Sequence, residues 1–211
     1  MTQSLEELKK WIGRKESAVD YVTVPSMHRL AAALDHDEPM PKHGDPLPAG
    51  WHSILFSRVV RHSQLGPDGM PKRGDFLPPL PRQMLAGKRI TFITDLRAGD
   101  EVWRESTIKD ITIKQGRTGR IVFVTVKAHI SSPRGLAITE ETDLVYRGEP
   151  VPNAPPPAPQ PAPGKAVWQR FVTPNPVLLF RYSALVFSGH RIHYDHPYAT
   201  GVEGYPDLVT N

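Results

Sequence analysis

The chain has no cysteine in 211 residues. That excludes a disulfide framework, a cysteine-ligated zinc or iron–sulfur site, and a thiol nucleophile. It also lacks any stretch near the roughly 18–20 consecutive apolar residues of a membrane span. The first sixteen residues, MTQSLEELKKWIGRKE, have no apolar core of the secretory kind. The simplest address is the cytoplasm, and no membrane association is expected. A long run of one charge is missing as well. The 26 Lys and Arg are interleaved with 22 Asp and Glu, for a net +4. This mild surplus suits an anionic small molecule and gives no footprint for nucleic acid.

Proline is abundant, with 23 in the chain, roughly twice the usual share of about 5%. The excess is clustered, because eight prolines fall within residues 150–163, PVPNAPPPAPQPAP. Without charge or apolar periodicity, this segment reads as a semi-rigid polyproline-II spacer. It divides the chain into an N-terminal part, 1–149, a linker, 150–165, and a C-terminal part, 166–211.

Local patterns predict an α+β protein with helices first and an antiparallel meander after them. Ser4-Leu5-Glu6-Glu7 is a capping box opening a helix whose face carries Leu5, Leu8, Trp11 and Ile12. Residues 19–24 read as a strand, and Pro25 opens a second helix to Asp35. The apolar run 51–60 predicts a helix, the best candidate to cover the apolar face of the sheet. Strands are predicted at 88–94, 101–114, 120–130 and 136–147 from their β-branched enrichment. Gly66-Pro67-Asp68-Gly69 and Arg97-Ala98-Gly99-Asp100 are turns, and 115–119 is a hairpin loop. After the spacer, 166–173 reads as a strand, and Thr173-Pro174-Asn175-Pro176 caps a helix from Val177 to about Phe187. This strand–helix–turn order repeats that of residues 19–40, as an incomplete second copy.

His28, His36, His43, His52 and His62 are scattered and read as surface or core histidines. The tail differs: Ser188, His190, Arg191, His193, Tyr194, Asp195, His196 and Tyr198 crowd the exit of an apolar helix, a place suited to line a cleft. Three readings stay open. His190-x-x-His193 has metal-ligand spacing, though without a clear third ligand. The set also fits a solvated surface turn. A histidine here also suits general acid/base chemistry, since imidazole titrates near neutrality.

The stretch Phe180 to Asp195 (FRYSALVFSGHRIHYD), followed by Pro197-Tyr198-Ala199 and Val202-Glu203-Gly204-Tyr205-Pro206, resembles the hydratase motif of the MaoC-like hot-dog family. The similarity is strongest to its type 2 hydroxyacyl-thioester dehydratase branch, which includes mesaconyl- and itaconyl-CoA hydratases. Leu47 to His52, Leu65 to Gly69, Met84 to Arg89 and Leu96 to Asp100 resemble the N-terminal half of such proteins. The resemblance implies a double hot-dog, each unit an antiparallel sheet wrapped around a central helix, with the first unit shaping an acyl pocket and the second catalytic. It implies reversible hydration of an α,β-unsaturated acyl-CoA thioester, with no metal or redox cofactor and a homodimeric assembly.

In this resemblance His193 matches the catalytic histidine. Ser188 stands five residues earlier, where the family often has aspartate, and serine orients water without serving as its base at neutral pH. Ser188 and His190 are therefore expected to position water or substrate. Arg191, Asp195, Tyr198 and Trp51 are the candidate substrate contacts, Arg191 through a CoA phosphate or a substrate carboxylate. Family members continue past the Gly-Tyr-Pro turn into a helix supplying the oxyanion amide. The chain stops at Asn211, so the second unit is expected to be incomplete. Alternatives from other classes are a non-catalytic acyl-thioester-binding or assembly subunit and a hot-dog thioesterase.

Overall fold

The computed structural model describes residues 5–36, 39–72, 78, 80, 82–116, 119–148, 161 and 164–211. Most of the proline-rich linker, Ser4 of the capping box and the tip of the hairpin at 117–118 lie outside the described residues. Five strands form one antiparallel sheet: β1 (Lys15–Tyr21), β2 (Arg82–Phe92), β3 (Glu101–Gly116), β4 (Gly119–Ser132) and β5 (Gly135–Arg147). Their spatial order is β1-β3-β4-β5-β2, so a central β3-β4-β5 meander carries the two earlier strands on its edges. Register shifts at Ile108/Asp110 and Leu85/Gly87 bend the long strands, and such bulges add the twist a sheet needs to wrap a helix.

Residue alternation fixes which face is buried. Val122, Val124, Ala128 and Ile130 share one face of β4, opposite Tyr146, Leu144, Glu140 and Ile138 of β5. That face carries two cores. One joins Val102, Ile130 and Ile138 to Met27, Leu30 and Ala31 of helix α1 (Val24–Ala33). The other joins Ile111, Val122, Val124 and Tyr146 to Leu8. The opposite face is held by ion pairs: Arg89 bridges Glu141 and Asp143, and Lys109 of β3 reaches Glu141 of β5 across β4.

Helix α1 begins where Thr23 accepts from the Ser26 amide, with Pro25 in its first turn. It supplies the helical cover predicted for 51–60. Only Trp51–Ile54 turns there, as a short 3₁₀ segment. Phe56 adopts a left-handed φ of 59°, which ends a helix, and its amide donates to the Asp20 carboxylate. The N-terminal helix is likewise a 3₁₀ segment, Leu5–Trp11.

Past the linker, the predicted strand 166–173 does not form. Val167, Trp168, Phe171 and Val172 extend without a strand neighbour and are exposed. A strand needs a partner to satisfy its backbone groups, and among the described residues this segment pairs with none of the five strands. Helix α2 (Pro176–Leu185) then forms as expected, Asn175 accepting from the Leu178 amide at 2.9 Å. Tyr182, Leu185 and Val186 pack on the α1 core. A short helix α3 (His196–Gly201) closes the tail around Ile192, Tyr198 and Ala199. No helix among the described residues is long and apolar enough to cross a membrane.

Candidate active site

The polar tail is built by the end of α2. Phe187 turns left-handed at φ 54°, and the Ser188 amide donates back to the Ser183 carbonyl at 2.8 Å. The chain reverses there and delivers His190 and His193 face to edge, ring centroids 5.3 Å apart. His193 Nδ1 lies 2.7 Å from the Val209 carbonyl oxygen. A carbonyl only accepts, so Nδ1 carries the proton. Neutral His193 then presents the Nε2 lone pair, which has no protein partner among the described residues, as general bases require. His190 is held below the ordinary imidazole range, first by burial and then by His193 beside it. Its amide donates to Ser188 Oγ at 3.4 Å, so Ser188 sits at the root of the turn.

Arg191 and Asp195 meet each other. The Arg191 Nε and Nη2 donate to one Asp195 carboxylate oxygen at 2.9 and 2.8 Å, and Nη1 donates to the Pro67 carbonyl at 3.0 Å. Its guanidinium also stacks 4.1 Å from the centre of the Tyr198 ring. The Asp195 carboxylate caps α3 by accepting from the Tyr198 amide and is held below its usual range, Arg191 being the largest cause. Tyr198 is buried, and its hydroxyl donates to Glu203 at 3.1 Å. Arg191, Asp195 and Tyr198 therefore form one clamp that shapes the turn. Trp51 is placed elsewhere, buried in the α1 core with its edge contact to His36.

Sequence reasoning missed the N-terminal contribution. The Arg191 amide donates to the Asp68 carbonyl at 2.9 Å. Gly69 and Gly189 touch backbone to backbone, such that a Cβ on Gly69 would lie 1.8 Å from the Gly189 oxygen. The Leu65–Gly69 motif, noted only as a family resemblance, was the available signal. Also unforeseen is His52, 5% exposed, bound to Glu140 at 3.1 Å, its Nδ1 having no hydrogen-bond partner among the described residues. The Glu140 carboxyl is driven down to about 2, chiefly by the His52 hydrogen bond. Phe92 meets the His52 ring edge-on. Among the described residues, no group of three or more His, Asp and Glu is placed to hold a metal ion.

A curled antiparallel sheet over a short helix, with an imidazole pair at a helix exit, defines a hot-dog dehydratase-like protein. Solved structures agree in fold. A MaoC-like dehydratase superposes with TM-score 0.68 at 14% identity, covering 97% of this chain and 74% of the other. A MaoC-like dehydratase from Phytophthora capsici superposes with TM-score 0.56 at 12% identity, covering 99% and 72%. The family model of hydroxyacyl-thioester dehydratase type 2 matches residues 50–211. The mesaconyl-C(4)-CoA hydratase of Chloroflexus aurantiacus is 47% identical over 206 residues, 95% of this chain and 72% of the relative. The mitochondrial hydroxyacyl-thioester dehydratase type 2 of Schizosaccharomyces pombe is 57% identical over 37 residues, 18% of this chain and 12% of the relative. The chain belongs to the hydroxyacyl-thioester dehydratase type 2 family and is a hydro-lyase of the hydratase/dehydratase class.

Proposed function

We propose that the protein reversibly hydrates a short branched dicarboxylyl-CoA, with mesaconyl- or itaconyl-CoA as the substrate type. The observation that carries the reading is the His193 imidazole, whose Nδ1–H is fixed on the Val209 carbonyl at 2.7 Å so that Nε2 is free as a base. The likeness to a mesaconyl-C(4)-CoA hydratase supports the substrate class.

In hydration, Nε2 takes a proton from water while the water oxygen bonds to Cβ of the enoyl thioester. The proton is returned to Cα as the enolate collapses. Elimination is the reverse, from the protonated imidazole. Ser188 and His190 orient the water, and the CoA moiety is part of the substrate, so no separate cofactor enters. In the same reading, 1–149 and 166–211 belong to two hot-dog units joined by the linker 150–165, and the enzyme acts in the cytoplasm as a homodimer. The unpaired edge of β2, where Leu85 and Phe92 are exposed, supports dimerisation, because free strand edges invite pairing. Light scattering coupled to size exclusion tests the dimer.

The deciding assay follows the enoyl-thioester absorbance of mesaconyl- and itaconyl-CoA with the full chain. Loss of absorbance without free thiol is expected, and His193→Ala is expected to lower kcat at least about a hundredfold. Release of thiol would mark a thioesterase. Binding without turnover would mark an acyl-thioester-binding subunit. Wild-type kcat in His193→Ala would remove His193 from the chemistry.

A further inference from the structure

Beyond α3, residues 202–211 form no helix or strand. Yet this segment carries the Val209 carbonyl that accepts from His193 Nδ1 at 2.7 Å. The Val209 amide donates to the Ile192 carbonyl at 2.9 Å, which lays the segment beside the turn. Leu208 and Val209 pack on Ile192, Tyr198 and Ala199. Apolar packing is non-directional, and one backbone bond is a pivot. Neither contact by itself aims a carbonyl at a ring nitrogen.

The directional anchor comes from α2. Its two buried residues are Leu179 and Ser183, and Ser183 is 3% exposed. A serine inside a helix can bond back to the carbonyl four residues earlier, which here is that of Leu179. Asn211 takes that place. Its Nδ2 donates to the Leu179 carbonyl at 3.4 Å and to Ser183 Oγ at 3.1 Å, and the Ser183 hydroxyl donates to Asn211 Oδ1 at 3.4 Å. The Ser183 carbonyl meanwhile accepts from the Ser188 amide at 2.8 Å, the bond that reverses the chain towards the histidines. Ser183 thus holds both the turn that carries His193 and the segment that faces it.

We propose that the Ser183–Asn211 pair is the positioning element of His193, aiming the Val209 carbonyl at Nδ1 so that the single ring proton stays off Nε2. Which nitrogen carries that proton is set by the hydrogen bond made at the other. Without an aimed acceptor at Nδ1 the proton moves to Nε2, the tautomer imidazole side chains prefer in water, and the base is lost. The catalytic consequence rests on the hydratase reading; the tautomer does not.

Ser183→Ala and Asn211→Ala cut the pair from either side. The ring nitrogens of His193 are observed by NMR in the full chain, with the ring neutral, and assigned by their absence from His193→Gln. The wild type is expected to show the Nδ1–H form, and both variants a rise of the Nε2–H form. In both, kcat should fall roughly tenfold while KM changes little. The double variant should lose no more than either single one, because the two side chains act as one unit. A ring that keeps its Nδ1–H form in both variants overturns the proposal, as does a wild-type ring in the Nε2–H form. So does a loss of kcat with unmoved ring signals and a lowered melting temperature, the mark of a merely structural bond. If Ser183→Ala does not fold, Asn211→Ala decides alone. If the wild type hydrates no thioester, the hydratase reading fails, while the ring signals still decide whether the pair sets the tautomer.

Discussion

Glu140 occupies a position that alternation assigns to the buried face of β5, and a carboxylate survives there because of its neighbours. His52 and Lys88 lie 3.1 and 3.2 Å away, and the Thr142 hydroxyl donates at 2.9 Å. Its folded-state ionisation, near 2 against an ordinary 4.5, is depressed. The group therefore stabilises the fold above about pH 4.5, and that stabilisation is lost as pH falls from 4.5 towards 2. With the side chain 14% exposed, the contribution is on the order of 2–3 kcal/mol. Urea unfolding of Glu140→Gln should show a loss of about 2 kcal/mol at pH 7. Its stability should also fall less steeply than the wild type's between pH 4.5 and pH 3. Parallel curves for the two proteins would show that the carboxylate is not what titrates.

Elements reveal where local pattern and tertiary context disagree. Met27 on α1 is fully buried, whereas Val59, inside the run first read as the sheet's helix, is 73% exposed. Met27→Ala should cost about 2–5 kcal/mol, and Val59→Ala should stay within about 0.5 kcal/mol of wild type. Thermal or chemical denaturation of the pair distinguishes the two assignments, and a large cost at Val59 would restore the 51–60 helix. The four long strands were readable because Val, Ile and Thr repeat at the spacing a half-buried sheet demands. Both α1 and α2 were readable from their Pro-bearing capped starts. The 51–60 run was not, because its fate is decided at Phe56 by Asp20, far away in sequence. Residues 166–173 have strand composition, but composition does not supply a neighbouring strand. In the candidate site, the crowding of His190 and His193 at the exit of α2 was legible from the sequence. The Val209 carbonyl that fixes the His193 tautomer and the Asp68 loop that holds the turn were not, since both are created by folding.

At the scale of the whole molecule, α2 packs Tyr182, Leu185 and Val186 on the α1 core, while the histidine turn meets the 65–69 loop backbone to backbone, so the seating of the turn depends on two glycines. Gly69 has φ +81°, and a Cβ there would sit 1.8 Å from the Gly189 oxygen; a Cβ on Gly189 would sit 2.8 Å from the Gly69 oxygen. Neither neighbour is a flexible side-chain end that swings aside. Alanine at 69 must break the contact or strain the loop, and with it the Arg191 bonds to Pro67 and Asp68. The sheet and the α1 core contain neither glycine, so they should persist. Gly69→Ala is therefore expected to retain the far-ultraviolet circular dichroism of the sheet while hydrogen exchange accelerates at the amides of 188–195. Hydratase activity should fall by roughly a hundredfold, the scale of misplacing a catalytic group by about 1 Å. Gly87→Ala, at a glycine with open space around it, is the matched control and should leave the exchange of 188–195 unchanged. Uniform loss of protection across the sheet in Gly69→Ala would show that the contact supports the whole fold and not the turn alone.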